Sequence, residues 1–376
     1  MKNVERVQIF YHGDLVGTLQ QSTEMTCGFQ YTEKWLRNGF SISPLSLPLE
    51  DRVFISGTDP FYGLFGVFDD SLPDGWGRLL MDRMLVSKGI SPESITPLTR
   101  LAMVGKTGRG ALEYQPDLSI SEDLHSDDLD ELCSACENIY SDRSNESLDQ
   151  IFLAGGSSGG ARPKVNWMSD DGVEWIVKFP CSGDGRMKNK VGQMEYEYSI
   201  CAQKCGIHTP EVMLIPSSQC SGFFATKRFD RNSSQKIHMV SIGGLLECSY
   251  RVPCLDYSSI IKLTGIITRQ NKEDLEQIYR IMCFNFSAHN TDDHAKNFAF
   301  LYDEENSQWR LAPAYDLTYA DSYGDEHMTA LFGEGVHPSQ TDYDKAADLA
   351  GISIEKARQI QKSIAEKCRQ LTIKKI

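Results

Sequence analysis

The stretch His289-Asn290-Thr291-Asp292-Asp293-His294-Ala295-Lys296-Asn297 decides how the rest of the chain is read. A helical pattern leads into it, and an apolar run from Phe298 to Leu301 leads out as a strand. Asp292 and Asn297 stand five positions apart. That spacing suits a phosphoryl-transfer loop in which an Asp receives a hydroxyl proton and an Asn holds Mg²⁺. The alternative is a polar helix-to-strand loop whose Asp and Asn only cap and turn the chain. Other parts of a phosphoryl-transfer site, present in the required order, favour the first reading.

The chain has 376 residues, 40% of them hydrophobic, which suits two or three domains without membrane spans. Its formal net charge is -14 and no long Lys/Arg run occurs. Nucleic-acid binding folds usually carry a basic face, so direct nucleic-acid binding is disfavoured. The 11 cysteines are scattered. Cys133-x-x-Cys136 has no second pair at zinc spacing, and Cys201 and Cys205 form the other close pair. An odd cysteine count with no apolar leader suggests a reducing, cytoplasmic setting.

Upstream, residues 4–20 alternate and turn at Gly13-Asp14, predicting a hairpin. Leu72-Pro73-Asp74-Gly75-Trp76-Gly77 predicts a turn before a helix, and residues 1–115 read as a small α+β unit with nothing catalytic of its own. An acidic, amphipathic helix within 119–148 links that unit to the remainder of the chain. After the short apolar run Ile151-Phe152-Leu153, Gly155, Gly156, Gly159 and Gly160 surround Ser157 and Ser158. Glycines let backbone N–H groups approach phosphate closely. No Gly-Lys-Ser/Thr closes this loop, so it is not a Walker A motif.

The loop feeds a predicted hairpin, Val165–Met168 and Val173–Phe179, whose far strand carries Lys178 on the face of Ile176. A lysine on a strand face that reads as buried needs an anion partner, which a phosphate supplies; an edge lysine facing water is the alternative. A helix over 190–205, ending at Gly206, offers Glu195 or Glu197 as its ion-pair acid, but two positions apart only one faces any given side. Two further strands, Val212–Ile215 and Phe223–Phe229, run into a connector where Asp230 is placed to accept from a ribose. Past the central stretch, a hairpin delivers Tyr315-Asp316, 24 residues after Asp292. Paired hard oxygen ligands there suit Mg²⁺. Two helices over 343–372, the second capped by Ser353, close the chain.

Together these segments resemble the HipA-like serine/threonine kinases of bacterial toxin–antitoxin modules, over residues 5 to 370. The residues that carry the resemblance are Leu72 to Arg78, Gly155 to Lys164, Ile176-Val177-Lys178, Arg228 to Arg231, Asn290 to Asn297 and Tyr315-Asp316. The resemblance implies an α+β protein-kinase fold: an extra N-terminal subdomain (1–115), a β-rich N-lobe (116–230) and a mostly helical C-lobe (231–376). It implies ATP and Mg²⁺ as cofactors, Asp292 as the catalytic Asp, and Asn297 and Asp316 as metal ligands. The Gly-rich loop with Lys164, then Lys178, Glu195, Lys227, Phe229, Asp230, His294, Lys296 and Tyr315, would line the ATP site. Glu195 matches the family's helix acid better than Glu197. Ser157 aligns with the family's autophosphorylated serine. Ser158 departs from the usual residue there, so two hydroxyls compete for that role. The implied partners are a HipB-like DNA-binding antitoxin and a protein substrate such as an aminoacyl-tRNA synthetase, with no direct nucleic acid and no membrane. A small-molecule kinase and a catalytically silent binding module are the alternatives, the latter opposed by the intact Lys178, Asp292, Asn297 and Asp316.

Overall fold

Alternation in the first twenty residues does build a hairpin. The computed structural model describes residues 2–22, 25–119, 128–143, 148–155, 159–232 and 235–371. In it β1 (Arg6–Tyr11) and β2 (Asp14–Gln21) pair antiparallel across His12 and Gly13, whose φ angles are 47° and 85°. With β3 (Cys27–Tyr31), β4 (Phe54–Ile55) and β5 (Leu112–Gln115) they form a sheet ordered β4-β3-β2-β1-β5. Val7, Ile9, Leu19 and Phe29 are fully buried in its core, the period-2 pattern of a sheet covered on one face. The helices here are α1 (Glu33–Asn38), α2 (Gly66–Asp69), α3 (Gly75–Ser87) and α4 (Pro97–Val104). The Thr32 and Thr96 hydroxyls cap α1 and α4 by accepting the N–H groups of Trp35 and Thr99.

The acidic segment is α5 (Leu129–Tyr140), which buries Leu132, Cys133, Cys136 and Ile139 and is capped by Asp128, whose carboxylate accepts from Asp130 N and Glu131 N. The apolar run at 151–153 belongs to a helix, α6 (Leu148–Gly155). A second sheet, ordered β6-β7-β9-β8, holds β6 (Lys164–Met168), β7 (Glu174–Lys178), β8 (Val212–Ile215) and β9 (Phe223–Lys227).

The chain divides into two compact units. The first comprises Met1–Gly192, Met213–Val240 and Gly244–Glu247; the second comprises Gln193–Val212, Ser241–Gly243 and Cys248–Ile376. The boundaries between them fall within α7 (Val191–Lys204), β8 and β10 (Met239–Ser241), and in and just after α8 (Ile242–Leu246). The second unit is mostly helical. Its α10 (Lys272–Ala288) packs on α9 (Tyr257–Ile267) and α12 (Ile354–Cys368), and α11 (Gln340–Leu349) packs on α9 and α12. Ile261, Ile278, Met282, Phe284 and Ile364 fill the interior. Ser353 caps α12, accepting from Lys356 N at 3.4 Å. The short parallel pair β11 (Leu255–Asp256) and β14 (Thr329–Ala330), and the antiparallel hairpin β12 (Ala299–Asp303) with β13 (Gln308–Leu311), complete it. The fold is α+β, with a β-rich first unit and a largely helical second. Among the described residues no helix is long and apolar enough to cross a membrane.

Candidate functional site

The loop at 289–297 begins where α10 stops. His289 takes the left-handed conformation (φ 58°), and its N–H closes the helix on Asn285 O. From there two adjacent aspartates take opposite surroundings. Asp292 is exposed. Asp293 is 1% exposed and gathers donors from three directions. Tyr257 OH donates to its Oδ2 at 2.7 Å and His327 Nδ1 lies 2.9 Å from the same oxygen. Thr329 N donates to Oδ1 at 3.1 Å, and the Thr329 hydroxyl donates to the Asp293 carbonyl. Tyr257 also receives Asn285 Nδ2 at 2.8 Å, and Asn285 in turn receives Asn290 Nδ2 at 3.0 Å. A buried carboxylate needs such partners. Asp293 therefore fixes the loop while Asp292 is turned outward.

The loop then closes on itself. Asn297 Nδ2 donates to the Asp292 carbonyl at 2.7 Å, and His294 Nδ1 accepts from Lys296 N at 3.2 Å. Lys296 is buried, with its ammonium 4.9 Å from the Tyr250 ring centre, a cation–π contact. Its carbonyl accepts from Tyr315 OH at 2.6 Å. That bond brings the Tyr315-Asp316 segment to the loop, and Asn297 and Tyr315 share the lining of one small recess, partly open to solvent. Asp316 is exposed and sits at φ 59°, a conformation Asp tolerates better than most residues. On α7, Glu195 is 2% exposed, whereas Glu197 is half-buried and accepts from Gln193 Nε2 at 2.8 Å.

In the first unit, Gly155 is the last residue of α6, and Gly156, Ser157 and Ser158 lie outside the described residues. The far end of the Gly-rich loop is held by the turn before α3. Asp74 accepts the Gly160 N–H, Trp76 N donates to Gly160 O at 2.9 Å, and Trp76 Nε1 donates to Lys164 O at 3.2 Å. A Cβ at Gly75 would stand 2.5 Å from Gly160 O and 2.7 Å from Ala161 Cα, so only glycine permits this approach. The Lys164 ammonium donates to the Gly159 carbonyl. Sequence reasoning passed over Asp74 and Asp293. The Pro-Asp-Gly turn and the Asp292-Asp293 doublet were their only local signals.

Lys178 closes β7, in a strand whose burial alternates, with Trp175 and Val177 buried and Ile176 and Lys178 half-buried. It pairs across the strands with Lys164 on one side and Phe224 on the other, and its ammonium lies 5.6 Å from the Phe224 ring centre. Directly paired residues project to one face, where two like charges repel. Lys227 and Phe229 are half-buried.

Asp230, expected to accept from a ribose, is instead committed inside the first unit. Its carboxylate accepts Arg228 Nε and Nη2 at 3.0 and 2.8 Å, Arg231 Nη1 at 2.9 Å and Gly110 N at 2.9 Å. Burial alone would raise its pKa, but the Arg228 and Arg231 guanidiniums and the Gly110 N–H hold it well below the usual carboxylate range. Four donors leave it little capacity for a fifth.

Residues 156–372 match the family model of the HipA-like C-terminal domain, and residues 7–115 match that of the HipA N-terminal domain. The chain belongs to the HipA family. It is 24% identical to "Putative kinase Y4mE" of Sinorhizobium fredii over 385 residues, covering 94% of this chain and 88% of that one. It is 28% identical to a "Putative kinase" of Haemophilus influenzae over 109 residues, covering 27% of this chain and 32% of the other. Among solved structures, the HipA of Shewanella oneidensis, determined in a complex with HipB and operator DNA, superposes with a TM-score of 0.70 at 18% identity, over 97% of this chain and 89% of that one. The last likeness is one of fold.

Proposed function

We propose that this HipA-family chain is an ATP- and Mg²⁺-dependent serine/threonine protein kinase, the toxin of a toxin–antitoxin pair. The observation that carries the reading is the division of labour in the loop: an exposed Asp292 beside a buried, fully bonded Asp293, with the Asn297 amide nitrogen committed to the Asp292 carbonyl. The kinase names of the two relatives support it.

Mg²⁺ fits the donors present. Asn297 Oδ1 and the exposed Asp316 carboxylate are hard oxygens, and the Asn297 Nδ2 bond orients the amide so that Oδ1 is the atom offered. Bound there, the ion offsets charge on phosphate oxygens. Asp292 orients the acceptor hydroxyl and receives its proton as the γ-phosphoryl group moves to it. Lys178 and the Gly-rich loop hold ATP phosphates, and Glu195 is the family's helix acid. Lys227 and Phe229 offer backbone groups to adenine, while His294 and Lys296 shape the loop. Asp230 stands outside this set, as the holder of Arg228 and Arg231.

The substrate is a protein of the translation machinery, such as an aminoacyl-tRNA synthetase. The partner is a HipB-like antitoxin that carries the DNA contacts. The net charge of -14 supports that division, as does the complex in which the Shewanella HipA was solved. Phosphorylation of Ser157 or Ser158 by the kinase itself would add roughly -1.5 to -2 charge among the loop glycines, opposing ATP. Incubation with γ-labelled ATP, with and without Mg²⁺, tests the reading. Mg²⁺-dependent label on Ser or Thr of protein, absent from Asp292→Asn, is expected. Label on a metabolite, or none at all, overturns it.

A further inference from the structure

Away from the loop at 289–297, three cysteine sulfurs converge inside the second unit. Cys201 lies on the last turn of α7, Cys205 just beyond that helix, and Cys368 at the end of α12. All three sulfurs lie within 4.8 Å of one another, the one such grouping of potential metal ligands among the described residues. The cysteines are 7%, 3% and 1% exposed. We propose that Cys201, Cys205 and Cys368 form a three-thiolate site for a soft d¹⁰ cation, of which Cu(I) fits best.

The local backbone explains the convergence. Cys205 N donates to Cys201 O at 3.0 Å, so the helical i, i+4 relation persists past the end of α7 and sets both side chains on one face. Ile207 N then returns to Ala202 O at 3.1 Å, with Gly206 at φ 75°, a glycine C-cap that ends the helix there. From the other side, the Lys367 ammonium donates to the Lys204 carbonyl, which ties the end of α12 to the end of α7.

Buried cysteines often serve only as small apolar residues. Packing alone does not require three sulfurs to face one point, whereas metal ligation does. With metal–sulfur bonds of about 2.3 Å, a planar three-sulfur set has edges of about 4.0 Å, within the observed limit. Among the described residues the group includes no histidine and no carboxylate. Structural zinc prefers four ligands, while thiolates alone select soft ions such as Cu(I). Binding exchanges three S–H protons, released to the buffer, for three metal–sulfur bonds, with no change of oxidation state. The resulting anionic centre, of roughly two negative charges, is flanked in sequence by Lys204 and Lys367. Loading would staple α7, the helix that carries Glu195, to α12.

The test uses the full chain, reduced and oxygen-free, in a Cys254→Ser background. That change removes the separate thiol pair Cys248–Cys254, whose sulfurs are 3.1 Å apart. Cu(I) is supplied as its coloured bicinchoninate complex, and loss of colour reports transfer. One equivalent per chain is expected, with a higher melting temperature. Cys201→Ala and Cys368→Ala should each weaken uptake by at least about tenfold, since disturbing even outer-shell groups costs about that much; Cys133→Ala should not. X-ray absorption on the unsubstituted cluster covers the case of a variant that fails to fold: three sulfur neighbours are expected. No transfer, transfer that survives loss of all three cysteines, or nitrogen or oxygen ligands around copper would each overturn the proposal.

Discussion

Asn297 Nδ2 and the Asp292 carbonyl are joined at 2.7 Å, so the side chain at one end of the loop fixes the backbone of the residue at the other. The Asp292 carboxylate takes no part in that bond and is exposed. Asp292→Asn should therefore leave the melting temperature nearly unchanged while lowering phosphoryl transfer by about 10²–10⁴-fold, the usual worth of a general base. Steady-state kinetics beside a thermal melt checks both halves. Near-normal turnover in a folded variant would remove Asp292 from its role.

The neighbouring position should behave in the opposite way. Asp293→Ala strips the acceptor from Tyr257, His327 and Thr329 in a buried site. A loss of about 3–5 kcal/mol is expected, on the scale of breaking a buried charged pair. Tyr257→Phe removes one donor and should cost about 1–3 kcal/mol. Urea unfolding of the two variants gives the comparison, and an Asp293→Ala protein as stable as wild type would show that the buried network does not anchor the loop.

Asp74 tests the grip on the Gly-rich loop. Asp74→Ala leaves the Gly160 N–H without its acceptor, so ATP affinity should fall about tenfold, or about 1.4 kcal/mol. Asp74→Asn keeps an acceptor oxygen and should recover most of it. Calorimetric ATP titration of both variants decides, and equal affinities would make Asp74 irrelevant to the loop.

Two carboxylates predict opposite pH dependences of stability. Burial, with Asp70 and Asp69 nearby, raises Glu247 to about 7 although it accepts the Gly66 N–H. A folded-state value above the unfolded one means that the favourable contribution is full below pH ~4.5 and is lost as pH rises through about 7. Glu247→Gln should match wild type near pH 4.5 and exceed it by about 1–3 kcal/mol at pH 8. Asp230 is depressed, so its contribution is full above pH ~4 and is lost as pH falls further. Asp230→Asn should be destabilised at pH 7 and approach wild type in acid. Denaturation midpoints across pH 3–8 check both signs.

Much of this was legible in the residues. Alternation placed Lys178 on the face of Ile176, although that face of β7 is half-buried and Trp175 and Val177 form the buried one; Gly206 marked the end of α7, and the Phe298–Leu311 pattern foretold β12 and β13. These signals are local, set by the period of side chains and the needs of a turn. The apolar run at 151–153 was ambiguous because three residues cannot separate a helix from a strand, and it lies in α6. The remaining surprises are long-range. Asp74 meets Gly160 across 86 residues and Gly110 meets Asp230 across 120. Asp293 draws on Tyr257 36 residues before it and His327 34 after. No periodicity encodes which distant donor a carboxylate will find.

The Asp293 network has a further consequence for what a damaged chain can do. Its donors come from α9, from His327 just before β14, from Thr329 in β14 and, through Tyr257, from α10. A protease cut or a frayed helix in any of these segments withdraws a donor and lets the loop at 289–297 slacken. On the proposed reading, a fragment that has lost any of these segments should therefore lose phosphoryl transfer even where Asp292 and Asn297 are both retained.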